Sequence, residues 1–341
     1  MANKNLTAAK KAKNDEFYTQ LSDIEKELCH YKHHFKDKVV LCNCDDPVWS
    51  NFWRYFHLNF AHFGLKKLIA THYDANQSTY KMEYCGYADD DVYVGDVTPL
   101  TQNGDFRNQE CIDLLKEADI VVTNPPFSLF REYVEQLMKY DKKFIIIGNK
   151  NAVTYKEFFP LLKNDLVWLG VNSSHGSIYF GTSIEDVDVS NGRSVDKKCL
   201  NSVPAFWYTN LDIPKRHEPI DLIEHYTPEK YPTYDNYDAI NVDKTLDIPC
   251  DYDGVMGVPI SFLDKYCPEQ FEIVGMDGQE CSPAIKEYHQ KKKVVDGKSM
   301  KSNTGTMGCV IRESSFGKGT YFDVGYPVRA VYKRIFIRRK Q

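Results

Sequence analysis

Short apolar runs alternate with amphipathic helical patterns up to about residue 210, and this alternation constrains the fold more than any other feature. The runs are Lys38–Asn43 (KVVLCN), Leu65–Thr71 (LKKLIAT), Ile120–Val122, Phe144–Ile147, Val167–Leu169 and Ala205–Tyr208. A strand covered on one face alternates apolar and polar residues. A run that is apolar throughout must be covered on both faces, the habit of parallel strands flanked by helices. Between the runs, Phe52, Phe56 and Phe60 recur every four residues behind a cap at Ser50 or Asn51, and Gly64 is placed to end that helix. A helix is expected near Gln109–Lys116, and another behind a Ser128 cap with Phe130, Val134 and Leu137 on one face. The expected fold is α/β, a doubly wound, mostly parallel sheet. Its ligand should lie beyond the carboxyl ends of the strands. Asp45-Asp46-Pro47 and Asn124-Pro125-Pro126-Phe127 both fall at such ends, so two loops should face one crevice.

After about residue 210 the alternation fades into tyrosines, prolines and short apolar runs, which divides the chain into regions 1–210 and 211–341. The second is expected to be less regular, with some β structure and a mobile basic loop from Lys291-Lys292-Lys293 through Gly308. From Ala284 to Gln341 there are 14 Lys and Arg against 4 Asp and Glu, a net +10, whereas the preceding residues carry −15. A basic end on an acidic body points either to a polyanion partner or to a solvated basic face. No apolar stretch approaches the roughly 18 residues of a membrane helix. The opening MANKNLTAAKKAKNDE has no apolar core, so no secretory signal is expected. Ten cysteines at irregular spacings, with no CxxC pair, read as reduced thiols of a cytoplasmic protein.

The tetrapeptide Asn124-Pro125-Pro126-Phe127 carries the chemistry. Two prolines fix φ and lack N–H donors, so they hold a rigid turn with outward-facing carbonyls. A side-chain amide beside such a carbonyl offers acceptors for both protons of a planar NH₂ group, and Phe127 supplies a flat face for a ring. Methylation of an exocyclic amine needs this arrangement. Two acceptors draw lone-pair density onto the nitrogen and orient it toward a sulfonium methyl, and proton loss follows transfer without a strong base. The competing reading is a plain strand-to-helix turn, for which Asn-Pro is a common breaker; position after a strand favours chemistry.

The stretch from Asp15 to about Asp253 resembles the EcoRI-type adenine-specific DNA methyltransferases. The residues that carry the resemblance are Asn14–Gln20 (NDEFYTQ), Cys42–Pro47 (CNCDDP), Gly104–Arg107 (GDFR), Ile120–Glu132 (IVVTNPPFSLFRE), Tyr234–Asn241 (YDNYDAIN) and Gly254–Ile260 (GVMGVPI). The resemblance implies a Rossmann-like methyltransferase domain over 1–210 and a target-recognition region over 211–341. It implies S-adenosylmethionine as cofactor, with Phe17, Tyr18 and Thr19 against its methionine moiety and Asn43, Asp45 and Asp46 meeting its ammonium group. Asp105 would accept from its adenine amine, Phe106 would pack on that ring, and Asn124 belongs to both the cofactor and the catalytic site. Trp49, Ser50 and Phe52 stand where the wider family has the small residues of a glycine-rich loop, a departure shared by EcoRI-type sequences. Where an acid usually binds the ribose this chain has Ala70-Thr71-His72-Tyr73-Asp74, so Asp74 takes that role or the contact is lost.

The implied substrate is adenine in duplex DNA, possible site GAATTC, in a monomeric enzyme of a restriction–modification system or a solitary relative. A paired adenine must be flipped out to reach such a crevice. Asn124 and the Pro125 carbonyl would then hold its amine, with Phe127 on its ring. Arg312, Lys333, Arg334, Arg338 and Arg339 are the candidate DNA contacts. Two alternatives stay open: an RNA or protein-amide methyltransferase using the same turn, and a DNA-binding protein without catalysis. No metal site is expected at Cys29, His30, His33 and His34 or at Cys42 and Cys44, because no second ligand pair stands at finger spacing. Trp49, Phe52, Trp53, Tyr55 and Phe56 are expected in the core.

Overall fold

A computed structural model describes residues 18–44, 46–76, 78–86, 95–173, 178–181, 194–195, 198–279, 282, 284–288, 292–300, 307–313 and 319–340. Two compact units emerge, Met1–Leu162 with Leu166–Ile213, and Lys163–Asp165 with Pro214–Gln341.

The first unit is mixed α/β. Its larger sheet has, among the described residues, eight strands, β1 (Val39–Cys42), β2 (Lys67–Thr71), β3 (Tyr80–Tyr84), β4 (Asp96–Pro99), β5 (Ile120–Thr123), β6 (Lys143–Asn149), β7 (Trp168–Leu169) and β8 (Ala205–Thr209). They are ordered β4-β3-β2-β1-β5-β6-β8-β7. The inner strands β2, β1, β5 and β6 run parallel. Every residue of β1 and β5 is buried, which is why neither alternates in sequence. Antiparallel strands extend the sheet on both sides, β3 and β4 at one edge, β8 and β7 at the other. The chain steps outward from β1 to β4 and resumes with β5 on the opposite flank of β1, so the strand order reverses between β1 and β5.

Four helices carry the connections that matter here: α1 (Leu21–Leu28), α2 (Asn51–Leu58), α3 (Gln109–Glu117) and α4 (Phe130–Lys139). Ser50 caps α2, its hydroxyl accepting from the N–H groups of Phe52 (3.2 Å) and Trp53 (3.4 Å). Phe52, Trp53, Tyr55 and Phe56 are core residues as expected, but Trp49 is 70% exposed, because it precedes the cap and lies off the buried face. The phenylalanine repeat spans a break at Asn59. Phe60 opens a separate short turn that Gly64 ends with φ +62°. Ser128 does not cap α4: a 3₁₀ turn, Phe127–Leu129, intervenes, and the cap position falls to Leu129.

Gly148 lies inside β6. A Cβ there would stand 2.3 Å from the ring of Phe130, which is itself fully buried on α4. Gly148→Ala is therefore expected to lower stability by about 1–3 kcal/mol through overpacking, read from a urea titration. Adding Phe130→Leu should recover part of that loss. An unchanged midpoint for Gly148→Ala would show that the ring has room to withdraw.

The second unit holds two sheets. One joins β9 (Ile240–Asn241), β10 (Met256–Pro259), β11 (Phe271–Met276) and β17 (Arg334–Arg339) in the order β9-β10-β17-β11. The other joins β12 (Lys292–Val295), β13 (Lys298–Met300), β14 (Val310–Arg312), β15 (Thr320–Asp323) and β16 (Pro327–Ala330) in the order β13-β12-β15-β16-β14. The basic stretch expected as a mobile loop is in part a hairpin. Asp296 (φ +47°) and Gly297 (φ +78°) form the tight turn between β12 and β13, the left-handed pair that such hairpins require. Residues 301–306 of that stretch lie outside the described residues. Tyr231, Tyr234 and Tyr237 are buried, and the Tyr234 hydroxyl donates to Asn241 Oδ1 at 2.8 Å.

Candidate active site

The carboxyl ends of β1 and β5 are tied together by polar side chains. Thr123, the last residue of β5, donates its hydroxyl to the backbone carbonyl of Asn43. Tyr133 of α4 donates its hydroxyl to Asn43 Oδ1. Burial holds the Tyr133 pKa well above the usual phenol range, so it remains a neutral donor. Asn43 is thus buried between two strands, with its side-chain carbonyl already bonded. Cys44 follows with φ +77°, a conformation that costs a non-glycine residue about 1–2 kcal/mol and turns the chain sharply out of β1.

Asp46 sits on that turn. Its Oδ1 accepts from Val48 N–H (3.0 Å) and from the Tyr80 hydroxyl (2.7 Å), while Oδ2 faces His72 Nε2 at 3.8 Å. Burial first, and the bond to Asp46 second, raise the Tyr80 pKa, so Tyr80 too stays a donor. The Asp46 carbonyl receives the N–H groups of Trp49 (2.9 Å) and Ser50 (2.7 Å), which leads the chain into α2. At the start of α2, Asn51 Nδ2 donates to the Thr19 carbonyl at 2.7 Å. That bond anchors Tyr18–Thr19, a strand paired antiparallel with Ile178–Gly181. Thr19 is buried, and its hydroxyl has no hydrogen-bond partner among the described residues. Phe17 and Asp45 lie outside the described residues, and only the backbone of Tyr18 is described.

Gly104 (φ +76°) brings the next loop against the end of β2. A Cβ at this position would lie 1.9 Å from the His72 carbonyl oxygen, so glycine alone fits. The loop delivers Asp105, whose carboxylate is gripped by Arg107 through Nε–Oδ1 (2.9 Å) and Nη2–Oδ2 (2.7 Å). This fork holds the Asp105 pKa below the usual carboxylate range and keeps it an ionised acceptor. Arg107 also reaches Glu132 of α4 at 3.0 Å. Phe106 is buried, edge-on to Tyr133 with ring centroids 5.0 Å apart. Asp74, on the loop after β2, bonds through its N–H to the Asn103 carbonyl at 2.9 Å.

Asn124 and Pro125 are buried at the end of β5. Pro126 precedes the 3₁₀ turn, its carbonyl accepting from Leu129 N–H at 2.9 Å. Phe127 is half-buried and packs against the main core cluster of this unit. One chain of contacts therefore runs from Thr19 through Asn51, Asp46, Tyr80 and His72 to Gly104 and Asp105. From Phe106 it returns through Tyr133 and Asn43 to Thr123, next to Asn124. Sequence reasoning missed Tyr133, Tyr80 and His72. Tyr133 was legible only as one more aromatic on the buried face of α4, since nothing local shows that its hydroxyl meets β1.

The candidate DNA contacts belong to the second unit. The Arg312 guanidinium lies 4.4 Å over the Tyr326 ring. Arg334 is buried, with Nε 3.3 Å from Asn241 Oδ1 and Nη2 3.4 Å from Asp243. Arg338 meets Glu272 at 3.1 Å and Arg339 meets Asp253 at 3.7 Å. Lys333 is half-buried. Of the histidine and cysteine positions weighed for metal, Cys29 donates to the Lys26 carbonyl and Cys42 is buried in β1. One group of metal-ligating side chains does stand within 4.8 Å in the second unit, His225, Cys250 and Asp251. There His225 Nδ1 and Asp251 Oδ2 form a surface pair at 2.9 Å.

Residues 5–340 match the family described as adenine-specific methyltransferase EcoRI. The chain is 49% identical over 308 residues to the type II methyltransferase M.EcoRI of Escherichia coli, covering 82% of this chain and 92% of that protein. It is 38% identical over 304 residues to the type II methyltransferase M.MpnI of Mycoplasma pneumoniae, covering 85% and 93%. A third relative, M.MgeORF184P of Mycoplasma genitalium, is 38% identical over 275 residues, 78% of this chain and 84% of that protein. A rigid Asn-Pro-Pro-Phe turn at the strand-order reversal, together with a match over nearly the whole chain, places this protein in the EcoRI family of adenine-specific methyltransferases.

Proposed function

We propose that the protein transfers a methyl group from S-adenosylmethionine to N6 of a flipped-out adenine in duplex DNA, within GAATTC. It would act as the modification half of a restriction–modification system or as a solitary relative. The observation that carries this reading is the placement of Asn124–Phe127 at the carboxyl end of β5, tied to β1 where the strand order reverses. The first unit is then a doubly wound, Rossmann-like cofactor and catalytic domain, and the second reads the target. The relatives are named type II methyltransferases, which fits the same reaction here.

The first unit fits the cofactor on its own residues. The buried Thr19 hydroxyl is without a partner among the described residues, and the carboxylates of Asp46 and Asp105 suit an ammonium group and an exocyclic amine. Bound S-adenosylmethionine supplies an electrophilic sulfonium methyl. Phe17, Tyr18 and Thr19 would line its methionine end, with Asp45 and Asp46 at the ammonium. Asn43 supports this end from behind, because its side-chain carbonyl belongs to Tyr133. Phe106 and Asp105 would hold the adenine end, and Arg107 keeps the Asp105 carboxylate oriented.

The substrate's amine donates its two protons to the Asn124 side chain and the Pro125 carbonyl, and its ring stacks on Phe127. N6 gains the methyl and then releases one proton to water. Stacking of about 1–3 kcal/mol per base offsets part of the few kcal/mol spent on flipping. Phe127→Ala should therefore cost more on paired adenine than on a mismatched one, and equal losses would remove the stacking role. For the whole function, plasmid recovered from cells expressing the protein should resist a GAATTC-cleaving endonuclease. Full cleavage, with the protein folded and cofactor-bound, would discard this site.

A further inference from the structure

Tyr332 is 90% exposed, more than any other large hydrophobic side chain among the second unit's described residues. It occupies the middle of a three-residue connection, Val331–Lys333, that joins β16 of the five-stranded sheet to β17 of the four-stranded one. Both ends of the connection are pinned. Val331 donates its N–H to the Cys309 carbonyl at 3.0 Å, and the Arg334 N–H is held by Asp277 Oδ1 at 3.0 Å. The ring is thus displayed on a pinned backbone, so little main-chain freedom is lost when something lands on it.

Tyr332 borders an open groove of about 590 Å³ whose other walls include Arg329, Lys333, Arg334 and Pro259. The one acid in the lining, Asp243, is already matched by Arg334, and Arg329 carries its own partner, Glu313, at 2.9 Å. The surrounding segment, Ala284–Gln341, has a net charge of +10. A flat, exposed aromatic face on a pinned backbone, beside cations on a strongly basic segment, matches a ligand with both phosphates and π-faces.

We propose that Tyr332 is a DNA-contacting residue that stacks on the face of a base left unstacked where the bound duplex is opened, while Lys333 holds an adjacent phosphate. The proposal rests on the DNA reading above and adds a specific contact surface to it. The two residues contribute different physics. A stacking contact changes affinity without changing the number of phosphates neutralised, whereas a phosphate contact changes the salt slope.

The test is the dissociation constant for a GAATTC duplex at several salt concentrations, with S-adenosylhomocysteine present, for wild type, Tyr332→Ala, Tyr332→Phe and Lys333→Ala. Tyr332→Ala should weaken binding about 5- to 150-fold with an unchanged salt slope, and Tyr332→Phe should stay within about twofold. Lys333→Ala should lower the slope by about one. Thermal midpoints should match wild type, since the Tyr332 ring has almost no contacts to lose. Tyr332→Ala binding DNA as wild type does would overturn the proposal and leave this face to a protein partner. A loss with Tyr332→Ala that comes with a changed slope would overturn the stacking role. A wild type that binds no duplex at all would overturn the DNA reading itself.

Discussion

Asn124→Ala is expected to slow methyl transfer about 10²- to 10³-fold, the usual cost of removing one preorganised polar group from a reacting centre. The residue is buried at the end of β5 and tied to β1 through its neighbour Thr123, so the scaffold around it should survive the truncation. The effect should fall on the chemical step, measured in a single turnover with saturating cofactor and duplex. Dissociation constants for both should stay within a few-fold, because in the proposed mechanism the amide orients the amine rather than anchoring it. Wild-type single-turnover rates would remove Asn124 from the mechanism. A loss matched by an equal loss of cofactor binding would reassign it to the cofactor site alone.

The second large effect belongs to Asp46. Asp46→Ala should weaken S-adenosylmethionine binding about 10- to 100-fold, the worth of a hydrogen bond to a charged group. It also strips the Tyr80 hydroxyl and the Val48 N–H of their acceptor. Asp46→Asn separates the two contributions, since the amide oxygen can still accept from Val48 while the charge is gone. Calorimetric titration of cofactor in the absence of DNA reads both variants. If Asp46→Asn binds as tightly as wild type, the carboxylate supports the turn and does not meet the ammonium. Tyr80→Phe should have a smaller effect in the same direction, because it loosens Asp46 without removing it.

The parts of the fold that sequence revealed are those buried on both faces. β1, β5 and the core of β6 appear as continuous apolar runs because no residue in them meets water. β3 and β4 are absent from the apolar runs because edge strands are not written that way. Every residue of β4 is exposed, and β3 mixes Lys81 and Glu83 with its apolar positions. The hairpin at Asp296-Gly297 carried a legible turn signal, but its flanking lysines read more strongly as a solvated loop. At the site, the Asn-Pro-Pro-Phe turn and Gly104-Asp105 were visible because turn chemistry is local. Tyr133 and Tyr80 were not, since each acts through a hydroxyl whose partner comes from a distant strand. The same limit applies to Arg334. Its charge is visible in the sequence, but the Asn241 and Asp243 that surround it are fixed only by the sheet.

The most direct measurement is mass spectrometry of nucleosides digested from two duplexes after incubation with the protein and S-adenosylmethionine, one containing GAATTC and one with that sequence scrambled. N6-methyladenine in the first duplex alone, and none with Asn124→Ala, is the expected result. No methylated base in any DNA, from protein that still binds the cofactor, would contradict the assignment of DNA adenine as the substrate.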